Sequence, residues 1–313
     1  MTKIFIDGKD GTTGLKIYSR FENRNDVELL LIDEDKRKDP EERAKFINES
    51  DITFLCLPDE ASRQAVSLVE NPNVKILDTS TAHRTNPDWA YGFPELSPEF
   101  RHKIETSNRI AVPGCYASGF NALVYPLVAS GLIDPDYPVV CYAMSGYTGA
   151  GKKGIAQYES EERDEELDSP RQYALTQQHK HLKEMAAISG LNNMPFFAPH
   201  ICPYPCGMVV SVPILTRLLK KSATMADIRE MFAEHYSGSP VVKVRPLGYT
   251  TGMIASNTFA GRDDMEIEVN GNDERVLLTA RFDNLGKGAS GAAIQCLNIA
   301  LGIDETTGLE IGE

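Results

Sequence analysis

Short apolar runs alternate with helix-like segments along the first part of the chain. The apolar runs cover residues 3–7, 27–33, 51–57 and 74–78, and the residues between them show helical spacing or helix-starting signals. Such alternation predicts parallel strands joined by crossover helices, because each crossover returns the chain to the same end of the sheet. We therefore predict a doubly wound α/β sheet that binds its ligands outside the carboxyl ends of the strands.

The second half of the chain has a different pattern. Residues 207–215 and 275–282 are typical of long strands in an antiparallel sheet, and residues 225–236 and 291–301 are typical of helices. The acidic stretch 158–168 predicts a solvated insertion, since charge runs usually face solvent. A chain of 313 residues is long enough for two domains, at about 150 residues for each.

A glycine-rich turn follows the first apolar run. Gly8, Gly11 and Gly14 separate that run from a segment with helical spacing. In dinucleotide-binding proteins such glycines let the backbone approach a pyrophosphate at the helix N-terminus. The spacing is Gly-x-x-Gly-x-x-Gly rather than Gly-x-Gly-x-x-Gly, so a plain strand-to-helix turn is the alternative.

Two features after the second apolar run give opposite indications about the cofactor. Asp33 ends the run, at a position where an acid often holds the ribose hydroxyl of NAD. Lys36, Arg37 and Lys38 follow at once and suit the 2′-phosphate of NADP. The residues themselves leave NAD, NADP and a solvated loop all open.

The candidate nucleophile lies in the stretch Pro113-Gly114-Cys115. This stretch follows an apolar run that ends at Val112, and a helix-like pattern begins at Gly119. At a helix N-terminus the backbone amides and the helix dipole favour a thiolate over a thiol. We therefore predict that Cys115 is a nucleophile, and a buried inert cysteine is the alternative.

The strand-ending turns of the predicted sheet meet at one edge. The turns near Gly8, Pro58, Ser80 and Cys115 all leave the carboxyl ends of strands, which places the cysteine beside the predicted nucleotide site. Arg84, close to the third of these turns, is a candidate anion clamp, because a guanidinium binds phosphate or carboxylate in a two-pronged way. A surface arginine is the alternative interpretation.

Two histidines supply candidate acid/base groups. His179 and His181 lie in a predicted helix over 173–185, and imidazole exchanges protons near neutral pH. A surface pair and a metal site are the alternatives. A separate zinc site is a further alternative. Its three ligands would come from one later segment, as His200, Cys202 and Cys206, and no fourth ligand is apparent.

The bulk composition narrows the class of protein. The net charge of −13 argues against nucleic acid or an anionic membrane as a partner, because both require a basic face. No run approaches the roughly 18 apolar residues of a membrane span, and the first residues read as a strand rather than a signal peptide. The six scattered cysteines do not form a secreted disulfide framework. We expect a cytoplasmic protein that acts on a small molecule.

Several motifs, taken in order, resemble those of the N-acetyl-gamma-glutamyl-phosphate reductase family in its shorter form. They extend over nearly the whole chain, and the Gly-Cys-Tyr and Asp-Asn-Leu-Gly-Lys-Gly stretches are the most specific. The motifs cover residues 8–14, 80–84, 91–95, 113–118, 145–151, 179–181 and 283–289.

The resemblance implies a particular domain organisation. It implies a Rossmann-type doubly wound parallel sheet plus an inserted α+β catalytic domain with a mixed or antiparallel sheet, as in semialdehyde dehydrogenases. We expect residues 1–116 and 286–313 to form the dinucleotide-binding domain, and residues 117–285 to form the catalytic and dimerisation domain. The family also implies a homo-oligomer, either a dimer or a tetramer.

The resemblance also implies an activity, the NADPH-dependent reduction of N-acetyl-L-glutamyl 5-phosphate to the 5-semialdehyde in arginine biosynthesis. The family resemblance also implies NADP rather than NAD as the cofactor. Cys115 is then the nucleophile that forms a thioester, His179 is the first choice as acid/base and His181 is the second. The substrate-binding residues implied are Arg84, Ser145, Gly146, Lys152 and His181. The cofactor-binding residues implied are Gly8, Gly11, Thr12, Thr13, Gly14, Leu57, Pro58, Ser80, Asn284 and Lys287, and no metal is expected.

Two other functions remain open. An aspartate-semialdehyde dehydrogenase-like enzyme would share the fold and the chemistry in outline, and a panel of acyl phosphates separates the two. A non-catalytic NADP-binding regulatory protein would show no loss of activity on Cys115→Ala.

Overall fold

The computed structural model describes residues 1–22 and 24–312. Its strands are β1 (Thr2–Asp7), β2 (Val27–Leu30), β3 (Ile52–Leu55), β4 (Lys75–Asp78), β5 (Ala90–Tyr91), β6 (Arg109–Ala111), β7 (Val140–Gly146), β8 (Arg171–Gln172), β9 (Phe196–Cys202), β10 (Met208–Leu215), β11 (Val242–Val244), β12 (Met265–Gly271) and β13 (Arg275–Phe282). Its α-helices are α1 (Thr12–Phe21), α2 (Pro40–Glu49), α3 (Asp59–Ser67), α4 (Pro98–Thr106), α5 (Cys115–Ala129), α6 (Gly151–Tyr158), α7 (Leu182–Ser189), α8 (Met225–His235) and α9 (Gly291–Leu301).

The first of two compact units consists of Met1–Gly114 and Ala289–Leu309. In the described chain its sheet has the strand order β2-β1-β3-β4-β6-β5, and every neighbouring pair is parallel. The predicted doubly wound parallel sheet is thus confirmed. The chain moves to β2 on one side of β1 and to β3 on the other, so the turn after β1 lies at the switch point where such sheets bind ligands.

Alternation along β1 fills the two cores of this unit. Ile4 and Ile6 lie in a buried cluster with Phe21 of α1 and with residues of α9. Phe5 points to the opposite face and packs in a second cluster with Ile47 of α2. Each such side chain contributes about 2 kcal/mol when it is fully buried. The helices on both faces therefore hold the sheet, and with it the turns at its carboxyl edge.

The second strand is shorter than its apolar pattern predicted. β2 ends at Leu30, whereas the apolar run continues to Asp33. The reason is a turn, in which the Lys36 amide donates to the Asp33 carbonyl at 3.0 Å. Asp33 is consequently part of an exposed loop and does not end the strand.

The second compact unit consists of Cys115–Gly288 and, among the described residues, the C-terminal residues 310–312. Its mixed sheet has the order β11-β12-β13-β10-β7-β9-β8 among the described strands. The pairs β11–β12 and β7–β9 are parallel, and the others are antiparallel. The predicted α+β arrangement with a mixed sheet is therefore confirmed.

Helix α5 lies directly on this sheet, against β10 and β13. It is buried along most of its length, as expected for a helix that is apolar on all sides. Gly119 makes the close approach possible, since a Cβ there would lie 2.6 Å from Val210 Cγ2 and 2.7 Å from Phe282 Cε1. The Tyr236 hydroxyl donates to the Ala122 carbonyl at 2.8 Å and attaches α8 to the same helix.

The predicted helix over 173–185 was wrong in its first half. Helix α7 begins only at Leu182, and the residues before it form turns. Ala174 and Gln177 adopt φ angles of 54° and 56°, in the left-handed region that interrupts a right-handed helix. His181 consequently lies at the N-cap of α7.

No described helix is both long enough and apolar enough to cross a membrane.

The contact at Gly119 predicts an inverted effect of a standard helix substitution. Alanine normally stabilises a helix by about 1 kcal/mol relative to glycine. Here Gly119→Ala should destabilise the protein by about 1–3 kcal/mol, because the new Cβ overpacks the contact with β10 and β13. Urea unfolding measures the change, and Ala187→Gly at an exposed position of α7 calibrates the helix propensity. A variant as stable as the parent would show that α5 is free to move away from the sheet.

Candidate active site

Cys115 is the first residue of α5 and is half-buried. The turn that precedes α9 packs against it, because a Cβ on Gly288 would lie 2.9 Å from Cys115 Cβ. The thiol is thus held at a helix N-terminus between two backbone segments of the second unit. This is the position that the sequence predicted for it.

The other thiols lie in different surroundings. Cys141 is fully buried in β7, and burial raises its thiol pKa far above the ordinary range. Burial also raises the pKa of Cys56 to about 12. Cysteines of this kind stay protonated and unreactive at neutral pH.

A cluster of rings surrounds the start of α5. Tyr116 makes edge contacts with His179 at 5.8 Å and with Phe197 at 5.2 Å, measured between ring centroids. Its ring also lies 6.0 Å from that of His181 and 6.3 Å from that of Tyr173. The structure therefore brings both predicted histidines to the residue that follows Cys115. Tyr173 and Phe197 were not predicted, and only the position of Tyr173 ahead of the histidines hinted at a role.

Both ring nitrogens of His179 have partners. Nδ1 accepts a hydrogen bond from the His181 backbone N–H at 3.1 Å, and Nε2 lies 3.3 Å from the Tyr173 hydroxyl. Burial, with a smaller effect of the Lys180 charge, lowers the pKa of His179 to about 4. His179 is therefore neutral at pH 7, with its proton on Nε2.

Three loops of the second unit meet at Asn284. Its Oδ1 accepts a hydrogen bond from the Gly207 amide at 3.0 Å, and its Nδ2 donates to Thr148 Oγ1 at 3.0 Å. Gly146 lies where a Cβ would approach the Pro205 carbonyl to 2.3 Å, so only glycine fits there. Asn284, predicted as a cofactor contact, is thus already bonded within its own unit.

The remaining residues predicted in the second unit differ in exposure. Ser145 is buried, and its hydroxyl donates to the Gly146 carbonyl at 3.1 Å. Lys152 is exposed in the first turn of α6. Lys287 is only 1% exposed, in the turn that contacts Cys115.

Arg84 lies within the first unit and is buried there. Its Nε donates to the Val112 carbonyl at 2.9 Å, and Nη2 donates to the Thr79 carbonyl at 2.8 Å. These carbonyls follow β6 and β4, respectively. Two nitrogens of Arg84, which was predicted to bind an anion, therefore donate to backbone carbonyls at the end of the sheet. One of these carbonyls immediately precedes Pro113-Gly114.

The glycine-rich turn has the shape that a pyrophosphate requires. Gly8 has a φ of 85° and would clash with the Cys56 carbonyl if it carried a Cβ, while a Cβ on Gly14 would lie 2.5 Å from the Gly8 carbonyl. Helix α1 begins at Thr12, whose buried Oγ1 has no hydrogen-bond partner within the described residues. A close-packed turn with an unpartnered hydroxyl at a helix N-terminus fits the phosphates of a dinucleotide. Gly11 and Thr13 belong to the same turn.

Two further turns leave the same edge of this sheet. Leu57 and Pro58 connect β3 to α3, and Ser80 follows β4. The Ser80 hydroxyl donates to the Asp78 carboxylate at 2.8 Å, and His83 Nδ1 lies 2.6 Å from the same carboxylate. The first unit thus brings together its predicted cofactor residues at the carboxyl ends of β1, β3 and β4.

Among the described residues, no group of three His, Cys, Asp or Glu side chains is arranged as metal ligands would be. The zinc alternative at His200, Cys202 and Cys206 therefore has no ligand geometry in this part of the chain.

Two family models match the chain. The semialdehyde dehydrogenase NAD-binding domain matches residues 12–104, and the semialdehyde dehydrogenase dimerisation domain matches residues 115–284. Solved structures of this class have the same fold. A probable aspartate-semialdehyde dehydrogenase from Pseudomonas aeruginosa matches with a TM-score of 0.71 and 13% identity, over 96% of this chain and 98% of that one. Aspartate semialdehyde dehydrogenase II from Vibrio cholerae matches with a TM-score of 0.69 and 16% identity, over the same shares. The fold and the two domain models together place the chain in the semialdehyde dehydrogenase class.

Curated relatives identify one family within this class. N-acetyl-gamma-glutamyl-phosphate reductase 2 of Nostoc sp. is 45% identical over 98% of this chain and 99% of its own length. The N-acetyl-gamma-glutamyl-phosphate reductase of Brucella ovis is 44% identical over 96% of this chain and 99% of its own length. The chain therefore belongs to the N-acetyl-gamma-glutamyl-phosphate reductase family, as its motifs indicated.

Proposed function

We propose that this protein reduces N-acetyl-L-glutamyl 5-phosphate to N-acetyl-L-glutamate 5-semialdehyde with NADPH, releasing phosphate, in arginine biosynthesis. The observation that carries the proposal is the position of Cys115. It begins α5 within the histidine and tyrosine cluster, in a chain that matches N-acetyl-gamma-glutamyl-phosphate reductases along nearly its full length.

The proposed reaction begins with the thiolate of Cys115. Its sulfur attacks the acyl carbon, the C–O bond to phosphate breaks, and phosphate leaves with the bonding electron pair. The product is a thioester on Cys115. A bound nicotinamide cofactor would supply the hydride that reduces this carbonyl. The hemithioacetal then collapses, the C–S bond breaks, the aldehyde leaves and the thiolate is restored. Backbone N–H groups in the first turn of α5 suit the transient oxyanion.

We assign proton transfer to His181 and an orienting role to His179. His179 is neutral, and its two ring nitrogens are bonded to Tyr173 and to the His181 backbone. A ring in this state cannot act as the charged partner of a thiolate at pH 7. His181 is buried in the same cluster, with its centroid 4.8 Å from that of His179.

The substrate roles inferred from the family are kept with one change. Ser145, Gly146, Lys152 and His181 stay as substrate contacts, and the exposed Lys152 is the candidate for an anionic group. For Arg84 we propose that it braces the Val112 carbonyl ahead of Pro113-Gly114, since two of its donors bond to backbone.

We place the reaction in the cytoplasm, where thiols stay reduced. The six cysteines are all reduced, namely Cys56, Cys115, Cys141, Cys202, Cys206 and Cys296.

Removing the sulfur tests the proposed reaction. Cys115→Ser should lower phosphate-dependent reduction of NADP by N-acetylglutamate semialdehyde by at least about 10³-fold, because an alcohol is a far weaker nucleophile at neutral pH than a thiolate. NADPH binding, followed by fluorescence titration, should be unchanged. Cys141→Ala, which changes a buried thiol in β7, is the matched control and should stay active. Activity retained by Cys115→Ser would remove the thioester mechanism, and turnover of aspartyl phosphate alone would favour the aspartate enzyme.

We propose NADP rather than NAD as the cofactor. The strand β2 ends at Leu30, so Asp33 lies in the loop beyond the strand end where a ribose-binding acid is expected. Lys36, Arg37 and Lys38 are exposed in the same loop. Arg37 forms an ion pair with Asp10 of the glycine-rich turn, which brings this loop to the predicted pyrophosphate site.

A cofactor panel tests this assignment. Arg37→Ala should raise KM for NADPH about tenfold or more and leave KM for NADH unchanged, because a charge-assisted hydrogen bond to the 2′-phosphate is lost. Lys45→Ala, a neighbouring exposed cation on α2, is the control. Equal effects on the KM values for the two cofactors would mean that Arg37 stabilises the loop and does not contact the 2′-phosphate.

We propose a homodimer formed through the exposed face of the second unit's sheet. The register pairs Val140 with Phe196, so their side chains lie side by side on one face, followed by Tyr142. These residues are 39%, 56% and 39% exposed, respectively. Pro213 and Leu277 are paired and exposed on the same face. Exposed apolar groups that adjoin across strands are typical of interfaces, and the family model over this unit describes a dimerisation domain.

A charge in this face should separate the subunits. Phe196→Glu should shift the molar mass measured by light scattering to that of one chain, because a carboxylate buried without a partner opposes association. Ile303→Glu, at an exposed apolar position of the first unit, should keep the parent mass. An unchanged mass for Phe196→Glu would place the interface elsewhere.

A further inference from the structure

Two ion pairs of the first unit join the glycine-rich turn to the segment that follows β2. In the inner pair, Asp7 at the end of β1 is bonded to Arg43 near the start of α2. In the outer pair, Asp10 of the glycine-rich turn is bonded to Arg37 of the loop before α2. Both acids therefore come from one segment and both arginines from the other, so the two segments are attached at two points.

The inner pair is buried. Asp7 is 4% exposed and Arg43 is 6% exposed, and Nε and Nη2 of the arginine donate to one carboxylate oxygen at 3.0 and 2.8 Å. Separating such a pair is costly, because it leaves charges buried without compensation. The inner pair therefore anchors the start of α2 to the end of β1.

The loop before α2 has little freedom of its own. The Lys36 amide donates to the Asp33 carbonyl at 3.0 Å, and the Asp39 amide donates to the Lys36 carbonyl at 2.8 Å. The Asp39 carboxylate then caps α2 by accepting from the Glu41 amide at 2.9 Å. Arg37 lies inside the second of these turns, so its backbone is fixed and only its side chain can change partner.

The outer pair is exposed. The side chains of Arg37 and Asp10 are 42% and 46% exposed, and a second carboxylate, that of Glu34, lies 3.6 Å from Arg37 Nη1. Exposed ion pairs are weak, because water and salt screen the charges. The outer pair can therefore be exchanged for another anion at little cost, whereas the inner pair cannot.

The position of Asp10 decides which anion would compete with it. The Gly11 amide donates to the Gly8 carbonyl at 3.0 Å and closes a tight turn around Asp10. This turn is the one whose shape suits the phosphates of a dinucleotide. A guanidinium binds carboxylate and phosphate with the same two-pronged geometry, so a phosphate that reaches Arg37 meets a donor that a carboxylate already uses.

We propose that Asp10 and the 2′-phosphate of NADP(H) compete for the guanidinium of Arg37, so that NADPH binds by displacing Asp10. NADH carries no 2′-phosphate and leaves the outer pair intact. The inner pair stays bonded in both cases and keeps Arg37 within reach. Asp10 is then a specificity-determining residue that weakens the binding of NADPH alone. The proposal rests on the proposed use of NADP and is independent of the substrate.

Cofactor binding measured without substrate tests the proposal. Fluorescence titration gives Kd for NADPH and for NADH with the parent, Asp10→Asn and Asp35→Asn. Asp10→Asn removes the competing charge and keeps the size of the side chain. We expect Kd for NADPH to fall about two- to fivefold, the range that an exposed ion pair allows, and Kd for NADH to stay unchanged.

Asp35→Asn is the matched control. Asp35 is exposed in the same loop as Arg37 and has no ion-pair partner in the part of the chain that the structure describes. The substitution makes the same change of charge, and we expect both dissociation constants to stay at their parent values.

A double-mutant cycle shows whether the effect passes through Arg37. In an Arg37→Ala background, Asp10→Asn should no longer change Kd for NADPH, because the group for which the two anions compete is gone. Urea unfolding of each variant should keep the midpoint of the parent, since the substituted side chains are exposed.

The contrary outcomes are specific. An unchanged Kd for NADPH in Asp10→Asn overturns the proposal, and a raised Kd would mean that Asp10 orients Arg37 for the phosphate. An equal decrease in Asp35→Asn, or a decrease that persists without Arg37, would assign the effect to long-range charge. If the binding results are as expected and the parent reduces no acyl phosphate, the competition stands and the assigned reaction does not.

Discussion

Close contact between the α5 backbone at Gly119 and side chains of the sheet beneath it is the constraint on which the second unit depends. At Gly119 the helix lies directly on Val210 and Phe282, and at Gly288 another backbone segment lies directly on Cys115. Interiors packed this closely transmit small displacements instead of absorbing them. The first turn of α5 is therefore fixed at its N-terminus and along its face, so the nucleophile has a defined position before any substrate arrives.

Hydrogen-bond direction and burial together determine the protonation state of His179 in the ring cluster at the start of α5. One backbone amide at His181 decides which nitrogen of His179 carries a proton, and burial keeps that ring neutral. Tyr173 in turn accepts from His179. Asn284 holds two loops by hydrogen bonds of opposite direction. Its oxygen accepts from one segment and its nitrogen donates to another. A site built this way holds its geometry without placing unpaired charges in a buried region.

Sequence periodicity was sufficient for the sheet and insufficient for the segment that holds the site. Alternation of strands and helices predicted the parallel sheet, and the glycine turn and Cys115 were both found at strand ends. The segment at 173–181 misled the helix prediction, because left-handed residues such as Ala174 carry no sequence signal when they are not glycine. The role of Arg84 was equally inaccessible, since an arginine that bonds to carbonyls and one that binds phosphate look alike in sequence.

Charge balance in the second unit limits how an anionic substrate is met. Arg281 is bonded to Glu266 and Glu268, and Arg262 is bonded to Asp264 at 2.5 Å, so carboxylates already neutralise the buried Arg281 and the half-buried Arg262. The chain as a whole carries a net charge of −13, which repels a phosphorylated acid at long range. On the proposed assignment of the site, attraction is therefore short-range, from groups such as the amides at the start of α5 and the exposed ammonium of Lys152.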